Sequence, residues 1–299
     1  MESTREGSTP RLDVLAEGLR FPEGPAFDAD GLPWLVELQG EALVNWSPAG
    51  LTRVHVGGAP NGLALASVDE LWFCDAGANS VRAFQTATGI TETMADAIES
   101  SATHPAADSG PRVALAGPND LAFDSEGNCI FTCPGGSWDS PVGYVCCRKP
   151  DGTVSRIAEG LHFPNGLAFV DGGNSLVVAE TRNKRLWRGS WDPGSCSWSE
   201  AKPWADVGGD VGPDGMALGA DGLLYVAIFG GGCVAVVDPQ GRIARTIDLP
   251  GRNPTNCAFD PSGQLGLVVT ESEKGLLLSI PEAVAGAPLF TRSSCVAPR

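Results

Sequence analysis

Phe-Pro-Glu-Gly-Pro-Ala-Phe-Asp at residues 21–28 recurs along the chain in five altered copies. They read Ala-Pro-Asn-Gly-Leu-Ala-Leu (59–65), Gly-Pro-Asn-Asp-Leu-Ala-Phe-Asp (117–124), Phe-Pro-Asn-Gly-Leu-Ala-Phe (163–169), Gly-Pro-Asp-Gly-Met-Ala-Leu (212–218) and Asn-Pro-Thr-Asn-Cys-Ala-Phe-Asp (253–260). The residue after each proline is Glu23, Asn61, Asn119, Asn165, Asp214 and Thr255 in turn, and every one carries a side-chain oxygen. A backbone device that repeatedly presents oxygen suits a hard cation. In a single copy the same tripeptides are ordinary turn formers.

After each signature comes a short strand, an Asp/Gly turn and an apolar strand, as in Leu32–Leu38, Leu71–Asp75, Cys129–Cys133, Ser175–Glu180, Leu223–Phe229 and Leu265–Thr270. No helical periodicity competes with these segments. The prolines recur every 38 to 58 residues, about 46 on average, the length of one four-stranded blade. The expectation is an all-β fold, a six-bladed β-propeller with four antiparallel strands per blade, closed on itself so that few edges stay open. A pair of β-sandwiches is the competing arrangement. Residues 14–20 precede the first signature and are expected to complete the last blade. Residues 1–11 read as a disordered tail and 12–299 as a single domain. The longest interval contains a polar stretch, 91–113, with His104 and Pro105, read either as a surface excursion or as a flap over the channel mouth.

The net charge of −16 opposes nucleic acid and anionic membranes, which need clustered Lys and Arg, and suits a cation or plain solubility. Nine cysteines without a Cys-x-x-Cys pair give zinc no thiolate site. Six of them (Cys74, Cys129, Cys133, Cys146, Cys233 and Cys257) lie in apolar runs as small hydrophobes. No apolar signal segment opens the chain, and the uncharged run Leu223–Val237 is too short for a membrane span. Free thiols and no leader point to a cytoplasmic protein.

A propeller carries the first strand of each blade along the central channel, so the six signature residues should converge on the axis. Glu23 and Asp214 are carboxylates, and two buried anions without compensation cost several kcal/mol or stay protonated. A divalent cation removes that cost. Carboxylate and amide oxygens favour calcium, with magnesium or manganese as substitutes; zinc fits an all-oxygen set less well and is kept as a substitute to be tested.

These motifs, in this order and spacing from about residue 14 to 282, resemble the SMP-30/gluconolactonase/luciferin-regenerating-enzyme family. The strongest carriers are Pro-Glu-Gly-Pro (22–25), Pro-Asn-Asp-Leu-Ala (118–122) and Phe-Pro-Asn-Gly-Leu-Ala-Phe (163–169), with 212–217 and 254–259 completing the set. The resemblance implies a calcium-dependent lactone hydrolase. It places metal ligands at Glu23, Asn165 and Asp214, with Asn119 as a fourth ligand or substrate contact, and a general base at Asp214. Calcium lowers the pKa of bound water less than zinc does, so a separate base is chemically reasonable. The expected reaction is opening of a lactone to its hydroxy acid, with calcium polarising the carbonyl and Asp214 activating water. A phosphotriester hydrolase on the same site, a non-catalytic calcium-stabilised propeller that binds a partner, and non-hydrolytic ring chemistry are the alternatives.

Two departures from the family pattern bear on substrate. Sugar-lactone members often carry Arg where this chain has Gly117, and Asp where it has Cys133. Both remove charge near the expected pocket and favour a lactone or ester less polar than a sugar acid's. Asn61, Asn119, Trp138 and His162 are candidate substrate contacts, the last two equally readable as packing or surface. The partner is expected to be that small molecule alone, with the protein a monomer or dimer. Gly230-Gly231-Gly232 after a strand is read as a hairpin rather than a dinucleotide loop, and no Gly-x-Ser-x-Gly elbow or His-Glu-x-x-His motif is present.

Overall fold

The computed structural model describes residues 10–101, 112–281, 283–292 and 294–295, with the side chains of 100, 101, 294 and 295 left aside. Six sheets form the six blades of the expected propeller, each of four antiparallel strands, with a short fifth strand added to that of blade 3. Blades 1 to 5 begin at Pro22, Pro60, Leu121, Pro164 and Gly212, and each follows the chain outward through four consecutive strands. Blade 6 takes Pro254–Phe259, Leu267–Glu271 and Leu276–Ile280 from the C-terminal part and Asp13–Ala16 from the N-terminal part. The ring is therefore closed by the strand expected at 14–20. First strands of successive blades touch one another around the whole circle, which places them on the channel.

The apolar strands are continuous because both of their faces are covered. Val177 packs toward blade 5 and the next residue, Val178, toward blade 3. Leu35 and Val36 divide in the same way between blades 6 and 2. One apolar cluster fills each space between neighbouring blades, so period-two alternation serves two interfaces at once. The cysteines read as small hydrophobes behave so: Cys74, Cys129, Cys133, Cys146 and Cys257 are fully or nearly fully buried in these clusters.

The 91–113 stretch is not one loop. Thr91–Ala95 is the outer strand of blade 2, Ala97–Ile98 pairs with Val113–Ala114, and Ser100–Ser101 adds in parallel to the outer strand of blade 3. His104 and Pro105 lie outside the described residues, as does most of the segment expected to be a tail.

After blade 6 the chain runs back along the far ends of the first strands. Ala287 N donates to Leu218 O at 2.9 Å, Phe290 packs edge-on against Phe169 with centroids 6.3 Å apart, and Arg292 N donates to Ala66 O at 3.0 Å. Gly286 lies against Phe259. This strap passes beneath the inner strands of blades 6, 5, 4 and 2, on the side away from the signature residues.

Candidate active site

The signature residues sit where the first strands meet the channel mouth. Glu23, Asn61, Asn165 and Asp214 are all buried. In blades 1, 2, 4, 5 and 6 the strand register slips just after the proline, and such bulges re-aim side chains. Glu23 and Asp214 are close enough for burial and mutual repulsion to raise the pKa of Glu23 well above the usual carboxylate range. Burial and the charge of Asp120 do the same to Asp214, opposed by a hydrogen bond from Asn165. The structure thus brings Glu23, Asn165 and Asp214 together.

Thr255 departs from its expected place. Its hydroxyl is fully buried and donates to Pro22 O at 2.8 Å, tying blade 6 to blade 1. Thr132 does the same to Asn165 O and Thr181 to Pro213 O, each at 2.8 Å. These are stitches between blades, and the oxygen of Thr255 faces one of them rather than the axis.

Asp120 and Asn256 were missed by the sequence reading and stand in the centre of the site. Each occupies the position that is glycine in the other four signatures. Asn256 Nδ2 donates to Asp120 Oδ2 at 3.3 Å from the opposite blade. The glycines leave room for this bridge. A Cβ at Gly62 would lie 2.2 Å from Asp120 Oδ1, and one at Gly215 would lie 1.9 Å from Asn256 Cγ. Of the four, only Gly24 has a positive φ, so space rather than dihedral freedom fixes glycine at 62, 166 and 215. Burial pushes Asp120 up to about 6, against hydrogen bonds from Leu121 N and Asn256.

Three buried carboxylates therefore share the channel, and among the described residues no Lys or Arg is paired with any of them. Asn119 Oδ1 is buried and accepts no hydrogen bond. An unsatisfied amide oxygen on the residue that precedes Asp120, together with three uncompensated carboxylates, is a donor set suited to a hard cation. No three His, Cys, Asp or Glu side chains among the described residues cage an ion by themselves. A cation here would draw on amide oxygens as well, and the residues present fit one.

A second circle of acids holds the loops that lead into the signatures. Glu37, Asp75, Glu180 and Glu271 end the second strands of blades 1, 2, 4 and 6 and are almost fully buried. They accept backbone N–H groups from Arg20 (3.1 Å), Ala59 (2.9 Å), His162 (2.9 Å) and Asn253 (3.0 Å) respectively. Arg53, Arg82 and Arg185 complete the first three. Cys133 stands at this position in blade 3 and is sealed in the core between blades 2 and 3, so its lost charge belongs to a loop anchor and not to the pocket. Gly117 has φ 61° and donates to Asn79 Oδ1 at 2.8 Å, a conformation that arginine would adopt only under strain.

His162 is half-buried, with Nδ1 3.2 Å from Asn183 Nδ2 and 3.6 Å from Glu180 Oε1. Trp138 is 38% exposed and packs on Phe163, centroids 4.9 Å apart. Asn61 presents its carbonyl to Gly24 of blade 1. Two surface cavities, each about 300 Å³, lie at the outer strands of blade 4 and beside Arg112, away from the mouth.

A six-bladed ring with buried carboxylate and amide side chains at the mouth of its channel defines a recognisable class, and the sequence comparisons place it. The chain belongs to the SMP-30/gluconolactonase/LRE-like family, whose model matches residues 21–273. It is 29% identical over 298 residues to the diisopropyl-fluorophosphatase of Loligo vulgaris, covering 88% of this chain and 90% of that protein. It is 28% identical over 253 residues to lactonase drp35 of Staphylococcus aureus, covering 82% and 74%. Among solved structures, a gluconolactonase from Xanthomonas campestris superposes with a TM-score of 0.77 at 25% identity, covering 91% of this chain and 90% of that one. Among the described residues no helix is long and apolar enough to cross a membrane.

Proposed function

We propose that this chain is a metal-dependent hydrolase that opens a lactone to its hydroxy acid. Glu23, Asn119, Asn165 and Asp214 hold the ion, calcium by the chemistry of the donors. When bound, such an ion supplies a positive charge that polarises a carbonyl oxygen. Asp214 accepts a proton from water as the water oxygen bonds to the acyl carbon; the ring C–O bond then breaks, and the departing alkoxide takes up a proton. If its amide oxygen does not ligate the ion, Asn119 serves instead as a substrate contact. The observation that carries this reading is the set of three buried carboxylates without a cationic side chain, together with that orphaned oxygen. The names borne by the lactonase and gluconolactonase relatives support the same reaction class.

The test is a pH-drop assay on a lactone panel, with and without chelator, repeated with calcium, magnesium, manganese and zinc. Acid release that chelator abolishes and calcium restores is the expected result. No acid release from any lactone with any metal would overturn it. Phosphotriester hydrolysis is the second reading, favoured by the likeness to the squid fluorophosphatase; an organophosphate beside the lactones separates the two. The buried free thiols support a reducing, cytoplasmic setting, and residues 12–299 are proposed to act as one domain, monomeric or dimeric, on a small molecule rather than a nucleic acid or membrane.

A further inference from the structure

Phe21 and Phe163 immediately precede the signature prolines of blades 1 and 4, which face each other across the six-membered ring. Both have φ of +56°. That left-handed conformation is a genuine outlier for a bulky side chain and persists only where its surroundings enforce it. The surroundings do so twice, in the same way. In blade 1, Glu37 accepts Arg20 N and Leu38 N donates to Phe21 O at 3.0 Å. In blade 4, Glu180 accepts His162 N and Thr181 N donates to Phe163 O at 3.1 Å. Each strained ring is left half-buried, two residues from Glu23 or Asn165, and each packs on a second aromatic, Phe21 in a stacked pair and Phe163 in one tilted at 59°. Phe21 lies 6.4 Å from Phe229, nearly parallel at 26°, and Phe163 lies 4.9 Å from Trp138. Arg182, the cation nearest Trp138, is already paired with Asp139.

From this geometry we infer that the Phe21–Phe229 and Phe163–Trp138 pairs are two aromatic walls that select neutral substrates bearing a flat apolar group. The inference rests on the hydrolase reading and adds the substrate class. The oxygens at the channel floor take the polar, reacting end. The walls take the rest, by apolar burial and ring stacking. A sugar-acid lactone would place hydroxyl groups against these rings without hydrogen-bond partners. A free carboxylate would add a further negative charge beside Glu23, Asp120 and Asp214, none of which is paired with a Lys or Arg among the described residues.

The probes are dihydrocoumarin, whose ring is fused to benzene, and δ-valerolactone, which lacks it. The wild-type protein with calcium is expected to favour dihydrocoumarin in kcat/KM by about tenfold or more. Phe163→Asn and Trp138→Ala are expected to cut that ratio about tenfold, chiefly through KM. Asn adopts the left-handed conformation readily, so Phe163→Asn should keep its melting temperature; Trp138→Ala, at a partly exposed position, carries the test if it does not. Turnover of both lactones without an aromatic preference, or with one unchanged in the variants, overturns the inference and leaves the hydrolase reading standing. If neither lactone is hydrolysed, the hydrolase reading fails, and quenching of protein fluorescence by 2-tetralone decides the walls separately. Quenching lost in both variants supports them, and no quenching in the wild type overturns them.

Discussion

Asn256 and Asp120 are 136 residues apart in sequence and meet in a 3.3 Å hydrogen bond across the propeller, blade 6 to blade 3. Their side chains cross the channel beneath Glu23 and Asp214, at the level where four other blades carry glycine. The bridge makes the channel a floored site rather than an open pore, and it keeps a third carboxylate close to the two that the signatures present.

The glycines under the bridge should tolerate no side chain. Gly62→Ala sets a methyl group against Asp120 and Gly215→Ala sets one against Asn256. Each is expected to lose about 1–3 kcal/mol in urea unfolding, the usual cost of overpacking a fixed core. Two variants as stable as the wild type would mean that the bridge does not form.

Acid crowding gives the metal-free protein an unusual pH response. Asp120 rises to about 6 in the folded chain, above its ordinary value, because burial disfavours its charge. The stability linked to its neutral form is therefore full below about pH 4 and lost as pH rises through about 6. Asp120 alone should account for a loss of up to about 3 kcal/mol over that interval in the chelated protein, beside the losses due to Glu23 and Asp214, and Asp120→Asn should remove that share. Calcium should restore it, by about 2.7 kcal/mol at a hundredfold excess over Kd. Calorimetry at pH 5 and 7.5, with chelator and with calcium, reads all of these; equal melting temperatures for chelated wild type and Asp120→Asn at both values would contradict the assignment.

Asp214→Asn keeps an oxygen donor at the site and removes the base. Turnover of whichever lactone the wild type opens should fall about 10²–10⁴-fold, with calcium still bound by titration calorimetry. Near-wild-type turnover with the metal in place would move the base elsewhere.

The loop anchors should respond to acid in the opposite sense to Asp120. Burial raises the pKa of Glu37, but hydrogen bonds from Arg53 and Arg20 N outweigh it and hold the carboxyl below its usual value. Its contribution is present above the ordinary glutamate pKa and fades as pH falls through the lowered one. Glu37→Gln should cost about 2 kcal/mol at pH 7, with the gap to wild type closing below about pH 4. A gap that stayed constant with pH would argue for packing alone.

The blades were legible because each repeats one pattern, and a strand buried on both faces reads as an unbroken apolar run. That Glu23, Asn165 and Asp214 would come together was legible for the same reason. Asp120 and Asn256 were not, although they are the two places where the Pro-x-Gly rule fails. Counting one residue from each proline treats the six copies as equivalent, and Thr255 shows that they are not: its hydroxyl serves the neighbouring blade while the next side chain enters the channel. Register slips after the prolines decide which residue points inward, and sequence spacing does not report them. Glu37, Asp75, Glu180 and Glu271 looked like ordinary strand ends, since their partners are backbone N–H groups with no sequence signature.

The strap that ends in Phe290 and Arg292 follows the ring from blade 6 back to blade 2 along the far ends of the inner strands. It clasps blades that lie far apart in sequence, so losing the strap should loosen the far rim of the ring before the mouth that carries Glu23 and Asp214.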